Sequence, residues 1–388
     1  MRISERVMNL GTESAFEVLA KAEDLIKQGS DIINLGIGQP DFLTSEHIVE
    51  AAVKALRDGV HGYTPAQGIK ILREAVSEKY FREHHVSVDP NNVLITPGGK
   101  PVIFFVVCMF GNEEAEILYP NPGFPIYQSV INYSGAKAVP YPLIEGDGFS
   151  IDADTILNKI TPKTRLLILN SPHNPTGAVS DEIQLKKLID GLIRFPEIAI
   201  LSDEIYSKIY FDNLTHFSLI QCPEIKERLI VLDGWSKTYA MTGWRLGYSI
   251  WPKELIQPAT KLAINTYSCV SGFTHLAGMS ALKESQNGVE KMVRAFEERR
   301  DVLVNGLNAI KNIDCRNPKG AFYAFPNIKK TGKSSRLLQN ELLERAGVAL
   351  LSGSSFGSFG EGYLRISFAN SLKNIETAIE RIGNYLEG

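Results

Sequence analysis

The sequence predicts an α/β protein in which a mainly parallel sheet of seven strands lies between helices, with a smaller α+β domain beside it. Short apolar runs alternate with longer helix-period stretches through the middle of the chain, which is typical of parallel strands joined by helices. Several runs are continuous rather than alternating, as expected for strands covered on both faces. The length of 388 residues favours more than one domain.

Seven apolar runs are the candidate strands of the large sheet. In chain order they are Val93–Thr96, Ala115–Tyr119, Ala138–Tyr141, Arg165–Asn170, Ile198–Ser202, Leu229–Leu232 and Leu246–Trp251. The apolar run from Val102 to Phe110 predicts a buried helix, because it is far too short to span a bilayer.

The two ends of the chain depart from this pattern and predict the smaller domain. A helix is expected from about residue 13 to residue 28, ahead of the strand-like run Ile32–Leu35, and it has no obvious place in the central sheet. The last third opens with a long charged helix pattern from about residue 288 to residue 308. We therefore expect a large domain formed by residues 46–285 and a small domain formed by residues 1–45 and 286–388.

The composition argues against several kinds of partner. The 41 basic and 44 acidic residues give a formal net charge of -3, so no electrostatic reason exists to expect nucleic acid or an anionic membrane. The four cysteines form no CxxC pair and the histidines show no metal-ligand spacing, so neither a disulfide nor a metal is expected. The chain opens with polar sequence and no signal-peptide core, which predicts a cytoplasmic protein.

Polar side chains follow three of the predicted strands almost directly. Asn174 comes after the run ending at residue 170, Asp203 and Tyr206 follow the run ending at residue 202, and Lys237 and Arg245 follow the run ending at residue 232. Ligands of open parallel sheets bind in the crevice beyond the carboxyl ends of the strands. The sequence therefore predicts that these five side chains meet at one edge of the sheet.

A fourth strand end predicts a site for an anion. Val93–Thr96 is followed by Pro97-Gly98-Gly99-Lys100 and then by the apolar helix. A strand, a glycine turn and a helix N-terminus present backbone N–H groups and the positive end of the helix dipole. A phosphate would fit there, helped by Ser236 and Arg245. The turn is not a Walker loop, because GxxxxGK[ST] is missing.

Each of these residues also has an ordinary structural interpretation. Lys237 and Arg245 could be solvated surface charges, and Asp203 could cap a helix after its strand. Asn174 could belong to a simple Asn-Pro turn. Arg365 could be the outward-facing residue of an amphipathic strand. The aromatic candidates could be loop or core residues: Tyr63, Phe124 and Tyr206.

In combination and in this order, the motifs resemble those of the class I and II aminotransferases, which are aspartate aminotransferase-like enzymes of fold type I that depend on pyridoxal 5′-phosphate (PLP). The matching motifs are Gly36-Ile-Gly-Gln-Pro-Asp-Phe42, Tyr63-Thr-Pro65, Pro97-Gly-Gly-Lys100, Asn121-Pro-Gly-Phe-Pro-Ile-Tyr127, Asn174-Pro-Thr-Gly177, Ser202-Asp-Glu-Ile-Tyr206, Ser236-Lys237 and Arg365. They run through nearly the whole chain. If every ordinary interpretation were true, the same residues would have to reproduce the full ligand set of one cofactor, in order, by coincidence.

The resemblance implies a role for each matching position around the cofactor. Lys237 would be joined to PLP as an imine and would carry the proton between the substrate α-carbon and the cofactor. Asp203 would keep the pyridine nitrogen protonated, so that the ring withdraws electrons. Asn174 and Tyr206 would hydrogen-bond the phenolic oxygen of the ring, and Phe124 would stack on its face. The phosphate would be held by the backbone amides of Gly99 and Lys100, by Ser236 and Arg245, and by Tyr63 of the neighbouring subunit.

The resemblance also implies how a substrate binds and how the enzyme assembles. Arg365 would grip the α-carboxylate as a two-pronged fork, assisted by Asn174 and the amide of Gly38. Because Tyr63 would complete the site of the neighbouring subunit, the active unit would be a homodimer. The catalytic residues would then be Lys237, Asp203 and Tyr206.

The function predicted in this way is a PLP-dependent aminotransferase that moves the amino group of a small L-amino acid to a 2-oxo acid such as 2-oxoglutarate, by ping-pong chemistry on Lys237. Lys100 is typical of the branch that acts on acidic substrates, whereas Glu13 adds a carboxylate that opposes them, so aspartate-type and alanine-type donors both stay open. A carbon–sulfur lyase or a decarboxylase on the same scaffold is the alternative, since fold and cofactor ligands do not separate these reactions. A non-catalytic PLP-binding regulator is disfavoured by the near-neutral charge and by the lack of room for a DNA-binding segment.

Overall fold

The computed structural model describes the backbone of residues 1–12 and 14–388 and the side chains of residues 1–12 and 16–388. Glu13, to which the sequence analysis gives a part in substrate selectivity, lies outside the described residues. The helices are α1 (Glu5–Met8), α2 (Ser14–Lys27), α3 (Glu46–Arg57), α4 (Lys70–His84), α5 (Lys100–Phe110), α6 (Ile126–Ser134), α7 (Ala153–Leu157), α8 (Glu182–Leu192), α9 (Trp235–Thr238), α10 (Ile256–Thr266), α11 (Gly272–Lys283), α12 (Asn287–Ala309), α13 (Ser335–Arg345) and α14 (Leu372–Glu387).

The strands form one large sheet and two small ones. They are β1 (Ile33–Asn34), β2 (Val93–Thr96), β3 (Glu116–Asn121), β4 (Lys137–Pro142), β5 (Thr164–Asn170), β6 (Ala199–Asp203), β7 (Leu229–Gly234), β8 (Gly247–Ile250), β9 (Tyr323–Ala324), β10 (Val348–Ala349), β11 (Leu351–Ser352) and β12 (Leu364–Ser367).

The large sheet has seven strands in the order β2-β8-β7-β6-β5-β3-β4. β8 runs antiparallel to its neighbours β2 and β7, whereas the pairings among β3, β4, β5, β6 and β7 are all parallel. This confirms the predicted α/β architecture with a mainly parallel sheet, and each of the seven predicted runs overlaps a strand.

The continuous apolar pattern of the strands follows from burial on both faces. On β5, Leu167 and Leu169 belong to one core cluster, while Leu166 and Ile168 belong to another on the opposite face. Helix α5 packs into the second cluster through Val102, among others. Its apolar sequence therefore serves the core, and no helix of the described residues is long and apolar enough to cross a membrane.

One of the two small sheets joins the two ends of the chain, and the other is formed by the C-terminal part alone. β1 pairs in parallel with β10, and β12 lies between β11 and β9 in an antiparallel sheet. Helix α12 packs against α14, and α2 contacts β10 and β11. These contacts are the ones that a small domain of residues 1–45 and 286–388 requires, and the division at residues 46–285 itself stays a prediction.

Candidate active site

A cavity of about 470 Å³ lies beyond the carboxyl ends of the parallel strands. Its walls come from both halves of the chain, because residues of β12 and of the segment after β1 face residues of β6 and α9. The sequence-predicted site residues that line it are Gly38, Gly99, Lys100, Phe124, Asn174, Asp203, Tyr206, Ser236, Lys237, Arg245 and Arg365. Tyr63 is the exception, because it lies outside this cavity with 94% of its surface exposed.

The register of the parallel strands places the polar side chains at their carboxyl ends beside one another. Asn170, the last residue of β5, is the cross-strand partner of Asp203, the last residue of β6. β7 ends one residue before α9, the short helix that carries Ser236 and Lys237. The Lys237 amine donates to the backbone carbonyl of Gly38 at 2.5 Å. Lys237 therefore faces the cavity rather than the outer surface.

Asp203 is buried at the bottom of this arrangement, with 4% of its surface exposed. Its Oδ2 accepts a hydrogen bond from the Tyr127 hydroxyl at 2.7 Å, and its Oδ1 accepts one from the Ile205 amide at 3.3 Å. No helix begins directly after β6 among the described residues, so Asp203 does not cap a helix. Burial raises the pKa of Asp203 to about 6, against the opposing effect of the two hydrogen bonds.

Three buried carboxylates lie close together at these strand ends, and their partners differ. Asp233 accepts from the Lys79 amine at 2.8 Å, and Glu204 contacts His216 Nε2 at 2.6 Å. Asp203 forms no salt bridge with any lysine, arginine or histidine in the described part of the chain, and its side-chain partner is a neutral phenol. A buried carboxylate needs its charge balanced. Asp203 is therefore suited to a cationic group of a ligand.

Arg365 is the basic residue held deepest in the cavity. It is 4% exposed, which excludes the solvent-facing interpretation of its strand position. Its guanidinium donates to Asn174 Oδ1 at 3.2 Å and to the Gly36 carbonyl, and it lies over the Tyr323 ring at 4.5 Å. Contacts on several sides fix the orientation of this planar group, as recognition of a carboxylate requires.

The glycine turn before α5 is shaped for close approach. Gly98 has φ +86°, and a Cβ atom there would lie 2.2 Å from Arg245 Nη2. Arg245 in turn donates to the carbonyls of Pro97 at 3.2 Å and Thr242 at 2.7 Å. The first-turn amides of α5 have no intrahelical acceptor. The turn thus brings a guanidinium and a helix N-terminus together, which is the arrangement that binds phosphate.

Several residues of the site were missed by sequence reasoning. Tyr127 bonds Asp203, Tyr323 bonds Tyr206 through their hydroxyls at 2.8 Å, and the Asn170 side chain donates to the Asp203 carbonyl at 2.9 Å. Tyr127 closes the motif Asn121–Tyr127, three residues after Phe124, and this spacing is the signal that could have indicated it. Tyr323 and Asn170 carried no comparable signal, because tyrosines and asparagines at strand ends are common.

Comparison with known proteins agrees with this geometry. The family model for class I and II aminotransferases matches residues 30–382. The aspartate aminotransferase of Pyrococcus horikoshii is 39% identical over 388 residues, which cover 100% of this chain and 97% of the relative. The aromatic-amino-acid aminotransferase 2 of Thermococcus litoralis is 37% identical, with 95% of each chain covered. A solved structure of aspartate aminotransferase from Thermus thermophilus with maleate matches with a TM-score of 0.94 at 33% identity, covering 99% of this chain and 100% of that one.

The chain therefore belongs to the class I and II aminotransferase family, and it is a PLP-dependent enzyme that transfers amino groups between amino acids and 2-oxo acids. The residues of the cavity fit this cofactor. The turn before α5 with Arg245 suits a phosphate, the buried charge of Asp203 suits a protonated ring nitrogen, and the amine of Lys237 suits an aldehyde carbon.

Proposed function

We propose that this aminotransferase uses Lys237, Asp203 and Tyr206 as its catalytic residues and takes small L-amino acids of the aspartate or alanine type as donors, with 2-oxoglutarate as a suitable acceptor. The observation that carries the proposal is that Lys237, Asp203 and Arg365, from three different elements, line one cavity. When bound, PLP supplies an electron-withdrawing ring and a carbonyl carbon that exchanges amino groups.

The chain's own residues divide the work of holding the cofactor. With PLP bound, Asp203 would hold a proton on the ring nitrogen, and Asn174 and Tyr206 would orient the phenolic oxygen side of the ring. Phe124 would pack against the ring. The phosphate would be held by Ser236, Arg245 and the amides of Gly99 and Lys100. Fixed dipoles and charges of this kind stabilise developing charge without having to reorganise.

The substrate is oriented by its α-carboxylate. Arg365 binds the carboxylate through two parallel hydrogen bonds, and Asn174 and the amide of Gly38 assist. The Lys237 amine, which lies 2.5 Å from the Gly38 carbonyl, would be the group that carries the proton of the substrate α-carbon. Gly38 is thus in contact with the proton carrier and part of the proposed carboxylate site.

The walls of the cavity support both classes of small donor. Lys100 lines the cavity with its amine 5.7 Å from the ring of Phe16 and 5.8 Å from the ring of Phe124, which places a positive charge on the wall that an acidic side chain would face. Leu19 and Ile37 line the same cavity with apolar surface, which suits the methyl group of an alanine-type donor.

The proposed assembly is a homodimer in the cytoplasm. Tyr63 is almost fully exposed in the single chain, as expected for a residue that completes the phosphate site of a neighbouring subunit. The four cysteines are free, which a reducing compartment maintains.

A visible absorption spectrum tests the central assignment. Purified protein reconstituted with PLP should show the absorbance of lysine-bound cofactor, and Lys237→Ala should lose it, because no amine replaces Lys237. Lys100→Ala is the matched control, since its amine lines the same cavity and its absorbance should survive. Lysine-bound absorbance in Lys237→Ala would remove the assignment.

A substrate panel then separates transfer from the alternative reactions. Aspartate, alanine and cysteine are each supplied with and without 2-oxoglutarate, and oxo acid, ammonia and carbon dioxide are measured. We expect oxo acid to form in stoichiometric amounts with glutamate only when the acceptor is present. Release of ammonia and pyruvate from cysteine without an acceptor would identify a lyase, and release of carbon dioxide a decarboxylase.

A further inference from the structure

Tyr127 is a fully buried tyrosine at the start of α6 that no part of the proposed mechanism uses. Its side chain has no exposed surface, and its hydroxyl donates to Asp203 Oδ2 at 2.7 Å. The Phe124 ring meets the Tyr127 ring edge to face, with centroids 5.9 Å apart. Tyr127 therefore contacts both the proposed partner of the ring nitrogen and the proposed stacking residue.

The neutrality of Tyr127 matters because of what surrounds it. Burial, followed by the charge of Asp203, raises the pKa of Tyr127 well above its ordinary value, so the phenol keeps its proton and remains a donor. The nearby carboxylates Asp233 and Glu204 add negative charge that favours protonation of Asp203. The hydrogen bond from Tyr127 opposes this effect by favouring the ionised carboxylate.

The main chain of Asp203 is fixed separately. Asn170 Nδ2 donates to the Asp203 carbonyl at 2.9 Å, and Asn170 Oδ1 accepts from the Asn174 amide at 3.1 Å. Main-chain placement therefore does not depend on Tyr127. Loss of the phenol should change the orientation and protonation of the carboxylate while leaving the strand in place.

We propose that Tyr127 is a positioning residue that holds the Asp203 side chain in one orientation and in its ionised form, so that the proton of the bound cofactor stays on the ring nitrogen. This inference rests on the proposed role of Asp203. A neutral donor is suited to this task, because it stabilises the carboxylate without cancelling the charge that the ring requires. A lysine or arginine in its place would compete with the ring as the counter-ion.

The test compares Tyr127→Phe with a matched control, Tyr141→Phe. Tyr141 is equally buried, but its hydroxyl donates to the Ile168 carbonyl at 2.8 Å rather than to a carboxylate. Each variant loses one phenol hydrogen bond. Dissociation of PLP from the holoenzyme is measured by equilibrium dialysis between pH 5 and pH 8.5. The phosphate of the cofactor also titrates in this range, but its effect is the same for all variants and cancels in the comparison.

The wild-type affinity should weaken as the pH falls through the range in which Asp203 gains a proton. In Tyr127→Phe this loss should begin at a pH higher by about one unit, since a hydrogen bond to a charged group is worth about 1.5 kcal/mol or more. Tyr141→Phe should follow the wild type. The ¹⁵N chemical shift of ¹⁵N-labelled PLP should also move towards the unprotonated ring in Tyr127→Phe alone.

Two results would overturn the proposal: an unchanged pH dependence and ¹⁵N shift in Tyr127→Phe, or the same changes in Tyr141→Phe. If Tyr127→Phe does not fold, 3-fluorotyrosine at position 127 replaces it. This residue keeps the shape and is a stronger donor, so the loss of affinity should begin at a lower pH, and an unchanged profile would count equally against the proposal. Failure of the wild type to form lysine-bound cofactor would instead contradict the proposed function.

Discussion

At the scale of single residues, the site is defined by how each buried charge is balanced. Lys79 forms an ion pair with Asp233 and His216 hydrogen-bonds Glu204, whereas within the described chain Asp203 accepts only from a phenol and a backbone amide. Burying the unbalanced charge of Asp203 therefore destabilises the protein without cofactor, and binding of a cationic group removes this destabilisation. Such a residue stabilises the complex at the expense of the free protein.

We expect Asp203→Asn to stabilise the PLP-free protein at pH 8, by about 3 kcal/mol at most, because the pKa of Asp203 is raised from 3.8 to about 6. A carboxyl group with a raised pKa binds its proton more tightly in the folded state, so its contribution to stability falls as the pH rises through that range. The gain should therefore shrink towards pH 4. Thermal denaturation at both pH values measures it.

Asp314→Asn, at an exposed carboxylate paired with Lys330, is the control for that measurement. It should change the denaturation temperature little at either pH, because an exposed ion pair contributes little to stability. An Asp203→Asn protein that is less stable than the wild type at pH 8 would contradict the unbalanced-charge account.

Lys100 is the residue whose substitution should separate the two proposed substrate classes. Lys100→Met keeps most of the side-chain length but removes the cation, so kcat/KM for aspartate should fall about 10-fold to 100-fold, as expected for loss of a charge-assisted hydrogen bond of about 1.5–3 kcal/mol. The value for alanine should change less than about 3-fold, because its methyl group needs no cation. Equal losses for both donors would show that Lys100 acts through the shape of the site.

At the scale of elements, the strands were predictable and the contacts between their ends were not. Short continuous apolar runs such as Leu166–Leu169 are typical of strands covered on both faces, and the seven predicted runs overlap the seven strands. The hydrogen bond between Tyr206 and Tyr323 joins residues 117 positions apart. Local patterns hold no information about such a pair, because its geometry depends on how β9 meets the end of β6.

The turn between β2 and α5 is the element most sensitive to one methyl group. Gly98→Ala would place an alanine at φ +86° and a Cβ atom 2.2 Å from Arg245 Nη2. We expect PLP affinity to fall about 10-fold, since the left-handed backbone costs roughly 1–2 kcal/mol and the guanidinium must move. Fluorescence titration with PLP measures the change.

Gly146→Ala is the matched control for the turn. A Cβ atom at Gly146 meets nothing within 4 Å, and its φ is not positive. PLP affinity should equal that of the wild type in this variant. A similar loss in both variants would mean that the turn has no special role in holding the phosphate.

At the scale of the whole molecule, the family motifs predicted which residues meet, and the topology explains why they can. Arg365 on β12 and Gly38 after β1 reach the cavity from sheets that the central seven strands do not include. A glycine or an arginine at such a position gives no signal of its own in the sequence. The family resemblance therefore predicted that these two residues line one site, whereas the periodicity of the sequence did not. The contact of Tyr63 with a neighbouring subunit depends on how two chains pack, which the pattern of one chain does not encode.

Subunit mixing tests the proposed dimer. Lys237→Ala lacks the proposed catalytic amine, and Tyr63→Ala should hold the phosphate of the partner's cofactor weakly. A hybrid dimer contains one site with Lys237 from one subunit and Tyr63 from the other. We expect that mixing and reassociating the two variants at low PLP restores activity above that of either alone, up to about a quarter of the wild type if subunits assort randomly. No gain on mixing would contradict a site shared between subunits.

The pairing of β1 with β10 has a consequence for the order in which the enzyme matures during synthesis. β1 leaves the ribosome long before its partner β10. The Gly36 carbonyl likewise leaves it long before Arg365, whose guanidinium donates to that carbonyl. A nascent chain can complete the seven central strands, and with them the proposed cofactor lysine Lys237, before β12 and the proposed carboxylate-binding Arg365 have been translated. The proposed substrate site can therefore form only after the cofactor-binding strands are complete.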